Sequence, residues 1–263
     1  HDGDGINMAK AAGALTGERA ILMTLGNSID GADLKSQLGV AAGQEPSLWV
    51  NQDAKRFCNE DVIWYYTRGS NAILTQSKAF TILDSAEIDR LANKDGLTVG
   101  WGMYNTPGKK MDKLAAELQQ ALDSKNPNVY KADTLEDLAK QMGLDPAAFL
   151  ETVNNYNAYC AAGNDAEYGK DPKYLRPVKT GPFYGFRVKA INLTSLGGIR
   201  VNEKNEAVNK DYQPIKGLYA AGLDCDGFTG DTYGLTLPGS AQGLSCYTGR
   251  NAARNAAAFA KAQ

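Results

Sequence analysis

Hydrophobic and polar positions along this chain repeat at two periods. Met111, Leu114, Ala115, Leu118 and Leu122 fall at i, i+3, i+4, i+7 and i+11, the spacing of an amphipathic helix over a core. Two further helices are punctuated at both ends. One opens at Thr134 and stops at Gly143; the next opens at Asp145-Pro146 and stops before Gly163. A helix is expected over residues 6–15, with Asp4 placed as its N-cap, and another over 61–76. Asp84-Ser85-Ala86-Glu87 reads as a capping box for a short helix through Leu91.

Short apolar runs predict strands at 20–24 and 79–83, and a hairpin of 47–50 with 55–58 around a turn at 51–54. Near the C-terminus, a Thr194-Ser195-Leu196-Gly197-Gly198 turn opens into a short strand, 199–201. A polar hairpin, the strand 217–222, a Gly-rich loop and a long Ala-rich helix from Gly239-Ser240 follow. A strand ending in glycine, then a glycine-studded loop opening a helix, lets backbone approach a ligand and aims amide hydrogens at it. The fold class is α+β.

Composition narrows the functions. Over 263 residues, 43% are hydrophobic and 22% charged, ample for a sizeable core. A net charge of −2 gives no reason to expect nucleic acid or an anionic membrane as partner. Cys58, Cys160, Cys225 and Cys246 show no C-x-x-C spacing and read as free thiols. With His1 the only histidine, a zinc site is not expected, and a histidine general base is excluded unless the terminal residue serves.

The C-terminal order resembles the closing segment of the FAD-dependent flavoproteins that include fumarate reductases, urocanate reductases and 3-ketosteroid dehydrogenases. The match is carried by Gly217-Leu218-Tyr219-Ala220-Ala221-Gly222 and the helix after it. Other motifs fit the same family: Asp4 followed by Ala11-Ala12-Gly13-Ala14, Trp49-Val50-Asn51, Arg56-Phe57-Cys58-Asn59-Glu60, and Thr152-Val153 with Tyr156-Asn157. No Gly-x-Gly-x-x-Gly follows a strand, so the resemblance implies a portion of a larger flavoenzyme. The expected layout is a residual flavin-domain segment (1–20), a fumarate-reductase-like capping domain (21–186), and the C-terminal part of an α/β FAD-binding domain (187–263).

The family's reaction moves hydride between the flavin and one carbon of a C=C bond conjugated to a carbonyl, while a protein group handles the proton on the other carbon. The resemblance implies flavin contacts at Asp4, Gly222, Leu223, Gly239, Ser240, Ala241 and Gln242. Asp4 is otherwise a plain helix cap. Thr194 and Thr236 stand at substrate-binding positions. Where the dicarboxylate reductases carry a His pair, a Glu and a clamping Arg, this chain has Asn192-Leu193, Leu223 and Thr236. A neutral threonine cannot replace an arginine's bidentate fork, so fumarate itself is not the expected substrate.

Gly230-Asp231-Thr232-Tyr233 and Pro238-Gly239 resemble the ketosteroid dehydrogenase loop whose Tyr polarises the substrate ketone. Tyr233 is a catalytic candidate on that basis; packing against a neighbour is the alternative. Tyr66 and Arg68 are candidates on the cap. Arg68 either forms an ion pair with Glu60 or faces the substrate as proton donor. Arg90 stands about two positions out of register with the family's proton-donating Arg.

The resemblance implies an ene reductase or dehydrogenase acting on an enone or enoate, with FAD in the complete protein. The alternative is a capping fragment that binds no flavin alone, is catalytically inactive, or serves as a partner-binding module. Because the pyrophosphate cradle is not encoded here, no stoichiometric FAD is expected in this chain by itself. An exposed apolar face is expected to meet an N-terminal FAD-binding half, a redox partner or a second copy.

Overall fold

A computed structural model describes residues 2–17, 21–33, 35–99 and 106–263. His1 and Ala20, on which two expectations fall, lie outside the described residues. The chain divides into two units, His1–Thr24 with Asn192–Gln263, and Leu25–Ile191. The expected boundaries at 20/21 and 186/187 differ from these; the chain passes between the units within two strands.

In chain order the elements are α1 (Asp4–Ala11), β1 (Ile21–Ile29), α2 (Gln37–Gln44), β2 (Leu48–Asn51), a 3-10 turn (Glu60–Trp64), α3 (Tyr66–Leu74) and β3 (Ala79–Asp84). Then come α4 (Ser85–Asp89), a π turn (Arg90–Lys94), α5 (Leu114–Asp123), β4 (Val129–Ala132), α6 (Leu135–Met142) and α7 (Pro146–Ala162). The chain closes with β5 (Phe183–Leu196), β6 (Glu206–Val208), β7 (Pro214–Tyr219) and α8 (Ser240–Lys261).

The larger unit is built on a sheet of order β1-β5-β3-β2, with β4 also paired to β5. Trp49 faces Thr81, Phe80 faces Arg187, and Lys131 faces Tyr184, all in antiparallel pairs. Alternate side chains of β2 and β3 enter different cores. Trp49, Ala79 and Leu83 pack with α2 and α5, through Val40, Ala41, Leu114 and Leu118. Leu48, Val50, Phe80 and Ile82 pack with α6 and α7, through Leu138, Phe149, Val153 and Tyr156. The sheet is therefore covered on both faces at β2 and β3, which is why those two strands read as largely apolar runs.

The helix caps follow the sequence closely. Asp84, Thr134 and Asp145 accept from Glu87 N, Asp137 N and Ala148 N, and Gly143 and Gly163 close α6 and α7 in the left-handed conformation. On α5 the amphipathic reading needs one change: Ala115 is exposed, and Ala121 takes the buried position.

Five expectations are corrected. Residues 55–58 form no strand, and β2 pairs instead with β3. Asn51 Oδ1 accepts from both Asp53 N and Lys55 N, turning the chain off the sheet edge. Arg56 is then drawn inward to a buried ion cluster. The helix expected over 61–76 is broken at Tyr65 into the 3-10 turn and α3. The strand expected at 217–222 begins earlier, at Pro214, and ends at Tyr219, while Ile199 and Val201 make isolated bridges only. Finally, Gly3 at φ 77, not Asp4, is the N-cap of α1, and Asp4 occupies the first helical position.

The smaller unit holds the β6–β7 hairpin, α1 and α8. Its interior comprises two small clusters, one around Ala9, Ile199, Ala207 and Ala220, the other around Ile21, Leu196 and Tyr233.

Candidate active site

In the smaller unit, the candidate flavin contacts gather at the start of α8. Gly239 caps the helix at φ 78 with no side-chain hydrogen bond to the exposed amides. Ser240 N donates to Leu237 O at 3.3 Å and Gly243 N to Gly239 O at 2.8 Å. Between them, the amides of Ala241 and Gln242 have no acceptor among the described residues. A Cβ built at Gly239 or Gly243 would meet nothing within 4 Å. The first turn of α8 thus offers two bare N–H donors and the positive end of a 22-residue helix dipole.

Tyr233 is buried, its ring packed on Ile21 and Leu196, and its hydroxyl stands 3.2 Å from Ser240 Oγ. The structure therefore ties Tyr233 to the first residue of α8. Of the two readings, packing is what the geometry shows. Gly222, at φ 67, has its amide donated to Thr248 Oγ1 at 2.8 Å, so that N–H is taken. Thr248, on α8, is a neighbour of this candidate contact that the sequence did not reveal, since no local motif links it to Gly222 across 26 residues. Leu223 packs beside Tyr233, and Asp4 is exposed at the first turn of α1. Thr194 is half-buried near the end of β5, its hydroxyl donating to Ser195 O at 3.4 Å, and Thr236 is exposed.

In the larger unit, Tyr66 opens α3 and is buried. Burial pushes its phenol above the ordinary value, so it stays protonated. Thr67 Oγ1 and both side-chain atoms of Asn27 are buried without a hydrogen-bond partner. Ser70 Oγ donates to Gly26 O at 2.7 Å, joining α3 to β1.

Arg68 does not pair with Glu60. It is exposed, with its guanidinium 4.5 Å from the Tyr65 ring centroid. Glu60 is claimed instead by Arg56, whose Nε and Nη2 donate to its two oxygens at 2.9 and 2.8 Å. The same guanidinium donates to both oxygens of Asp165, at 2.9 and 2.8 Å. Lys170, fully buried, adds its Nζ 3.3 Å from Glu60 Oε2.

Arg90 is also engaged internally, donating to Glu45 at 2.6 Å, Glu87 at 2.7 Å and Gly96 O at 3.0 Å. Burial works against its charge, but Glu87 and Glu45 outweigh that and raise its pKa above the ordinary value. An arginine so held braces the π turn and is no free proton donor. Among the described residues no group of three or more His, Cys, Asp or Glu is placed to hold a metal, and no helix is long and apolar enough to cross a membrane.

The residues present fit the polar edge of a flavin ring at the start of α8: bare amides, a glycine with open space beside it and, among the described residues, no side chain capping those amides.

The chain matches the FAD binding domain family over residues 1–234. It is similar to the vinyl phenol reductase of Lactiplantibacillus plantarum, 40% identical over 99% of this chain and 54% of that protein. Among solved structures, it resembles a 3-ketosteroid Δ1-dehydrogenase from Sterolibacterium denitrificans, with TM-score 0.64 and 25% identity over 97% of this chain and 46% of that one. It also resembles the open conformation of a flavocytochrome c3 fumarate reductase, with TM-score 0.58 and 27% identity over 98% of this chain and 40% of that one. The chain spans about half the length of the curated relatives it matches. With most of its length matched by that model and its helix start shaped for a flavin, the chain belongs to the FAD-dependent oxidoreductase 2 family.

Proposed function

We propose that this chain supplies the substrate cap and the C-terminal part of the flavin domain of an FAD-dependent reductase acting on the C=C bond of an enone or enoate. The observation that carries this reading is the open start of α8, where Ala241 and Gln242 present unpaired amides behind Gly239. Bound FAD would supply the two-electron chemistry. Ala241, Gln242 and Gly239 would hold its polar edge, with Leu223 and Asp4 as further contacts. Tyr233 would act as a positioning residue, fixing Ser240 and with it the direction of the amides.

On the cap, Tyr66 keeps its proton across the neutral range because burial disfavours the phenolate. A phenol held protonated in this way would donate a hydrogen bond to a substrate oxygen and keep its proton. Arg68 adds an exposed positive charge two residues further on, to orient an electron-rich oxygen of the substrate. Relatives whose names record vinyl phenol and digoxin as substrates support a substrate other than a dicarboxylate. So does the absence of an arginine at Thr236.

The test compares visible flavin absorption of the purified chain with that of the full-length protein. The chain alone is expected to carry no stoichiometric FAD. The full-length protein is expected to carry one equivalent and to reduce an activated alkene with a chemical electron donor. A yellow, fully loaded chain would overturn the partial-domain reading. A loaded full-length protein that reduces no enone, enoate or aryl alkene would overturn the reductase.

A further inference from the structure

Ser47, the residue before β2, is buried, and its hydroxyl meets no hydrogen-bond partner among the described residues. Its backbone is engaged: the amide donates to Glu45 O at 2.8 Å, and the carbonyl accepts from Lys170 Nζ at 3.4 Å. A buried hydroxyl without a partner is costly, and native folds rarely tolerate one.

The side chain lines a cavity of about 10 Å³, counted as the room open to the centre of a water molecule. Its walls mix polar groups, Asp84, Glu87 and Arg176, with apolar ones such as Leu48 and Val178. That volume suits one water, and polar walls are what separate a wet cavity from a dry one. Glu87 is buried, and each of its oxygens accepts one hydrogen bond from Arg90, which leaves each a further lone pair. Arg176 Nε stands 3.7 Å from Glu87 Oε1, too long for a direct hydrogen bond and short enough for both to share a water. The other two guanidinium nitrogens donate to Lys173 O and Thr98 Oγ1, both at 3.3 Å.

We propose that this cavity is a binding site for one ordered water. The water accepts from Ser47 Oγ and Arg176 Nε and donates to Glu87 Oε1, the three bonds usual for a buried water. The Arg90 and Arg176 charges beside the site disfavour a cation there. Glu87 belongs with Arg90 and Glu45, whereas the Ser47 carbonyl belongs with Lys170, Glu60 and Arg56. The water and Ser47 therefore join two buried ion clusters into one hydrogen-bonded network, wholly within Leu25–Ile191.

A crystal structure of the full-length protein, at a resolution that shows ordered water, tests the site directly. One fully occupied water is expected within hydrogen-bond distance of Ser47 Oγ and Glu87. A dry cavity, a metal ion, or a Ser47 hydroxyl bonded straight to a protein group would each overturn the proposal. Urea unfolding of the chain, followed by the fluorescence of Trp49 and Trp64 in that unit, gives a second reading. S47A and R176M each remove one partner of the same water, so each is expected to lower the urea midpoint. Their double variant is expected to lower it by less than the two losses added. A midpoint raised by S47A would mark an unpaired hydroxyl in the parent, and strict additivity would mark two side chains that share no ligand; either result would refute the bridging water.

Discussion

A thiol reacts as its thiolate, so the four cysteines should separate by environment. Burial, reinforced by Glu60, pushes Cys58 up to about 12, and burial pushes Cys225 up to about 11. Cys246 is exposed on α8. Iodoacetamide at mildly alkaline pH is expected to label Cys246 first and Cys58 and Cys225 only on unfolding, as read by peptide mass mapping. Arg56 is the residue on which most depends. Arg56→Met leaves Asp165 without its bidentate donor and is expected to cost about 3–5 kcal/mol. The pH signature is equally specific. Burial by itself would raise the Asp165 carboxyl, but the Arg56 guanidinium and the Lys170 amide hold it far below the ordinary value. That contribution is in place above pH ~4, the unfolded carboxylate's range, and is lost on acidification below it. Urea midpoints of the Arg56→Met variant should therefore fall less steeply in acid than those of the parent. This cluster was hard to read in the sequence. Arg56 and Asp165 lie 109 positions apart, and the sequence reading pairs Glu60 with Arg68 instead. Tyr66 and Arg68 were legible as candidates because they follow the Arg-Phe-x-Asn-Glu motif directly.

Helix ends were legible because a cap is a local hydrogen bond between residues three apart, as at Asp84, Thr134 and Asp145. Strand pairing was not, because it is decided by what lies across the sheet. Residues 55–58 follow a turn after β2 as a hairpin partner would, yet β2 pairs with β3 instead. Two glycines show how context sets an element's tolerance. In α2, a Cβ at Gly43 would lie 2.0 Å from the backbone oxygen of Asn27. Gly43→Ala must push α2 away from β1, and a loss of about 1–3 kcal/mol is expected in urea unfolding. In α8, a Cβ at Gly249 meets nothing within 4 Å. Gly249→Ala should raise the stability of that unit by up to about 1 kcal/mol through helix propensity. Opposite signs for two identical changes within helices would confirm that close packing, not propensity, governs α2.

The mixed helix-and-strand class of the whole chain was legible from the two periods of its hydrophobic pattern, whereas the flavin connection rested on glycine-rich motifs that have no periodicity. Both large cores lie wholly within Leu25–Ile191. A piece of residues 25–191 is expected to unfold cooperatively in urea and to give dispersed amide resonances; a broad, non-cooperative transition would show that it needs the flanking segments. The double covering of the sheet also bears on what happens before folding is complete. Every residue of β3 is buried, so Ala79-Phe80-Thr81-Ile82-Leu83 has no wet side in the native state. Released from its helices, such a run has the composition that stacks on copies of itself. Lys78 and Asp84 bracket it with opposite charges, and they are the positions where neutral substitutions should first turn a refolding yield into a precipitate.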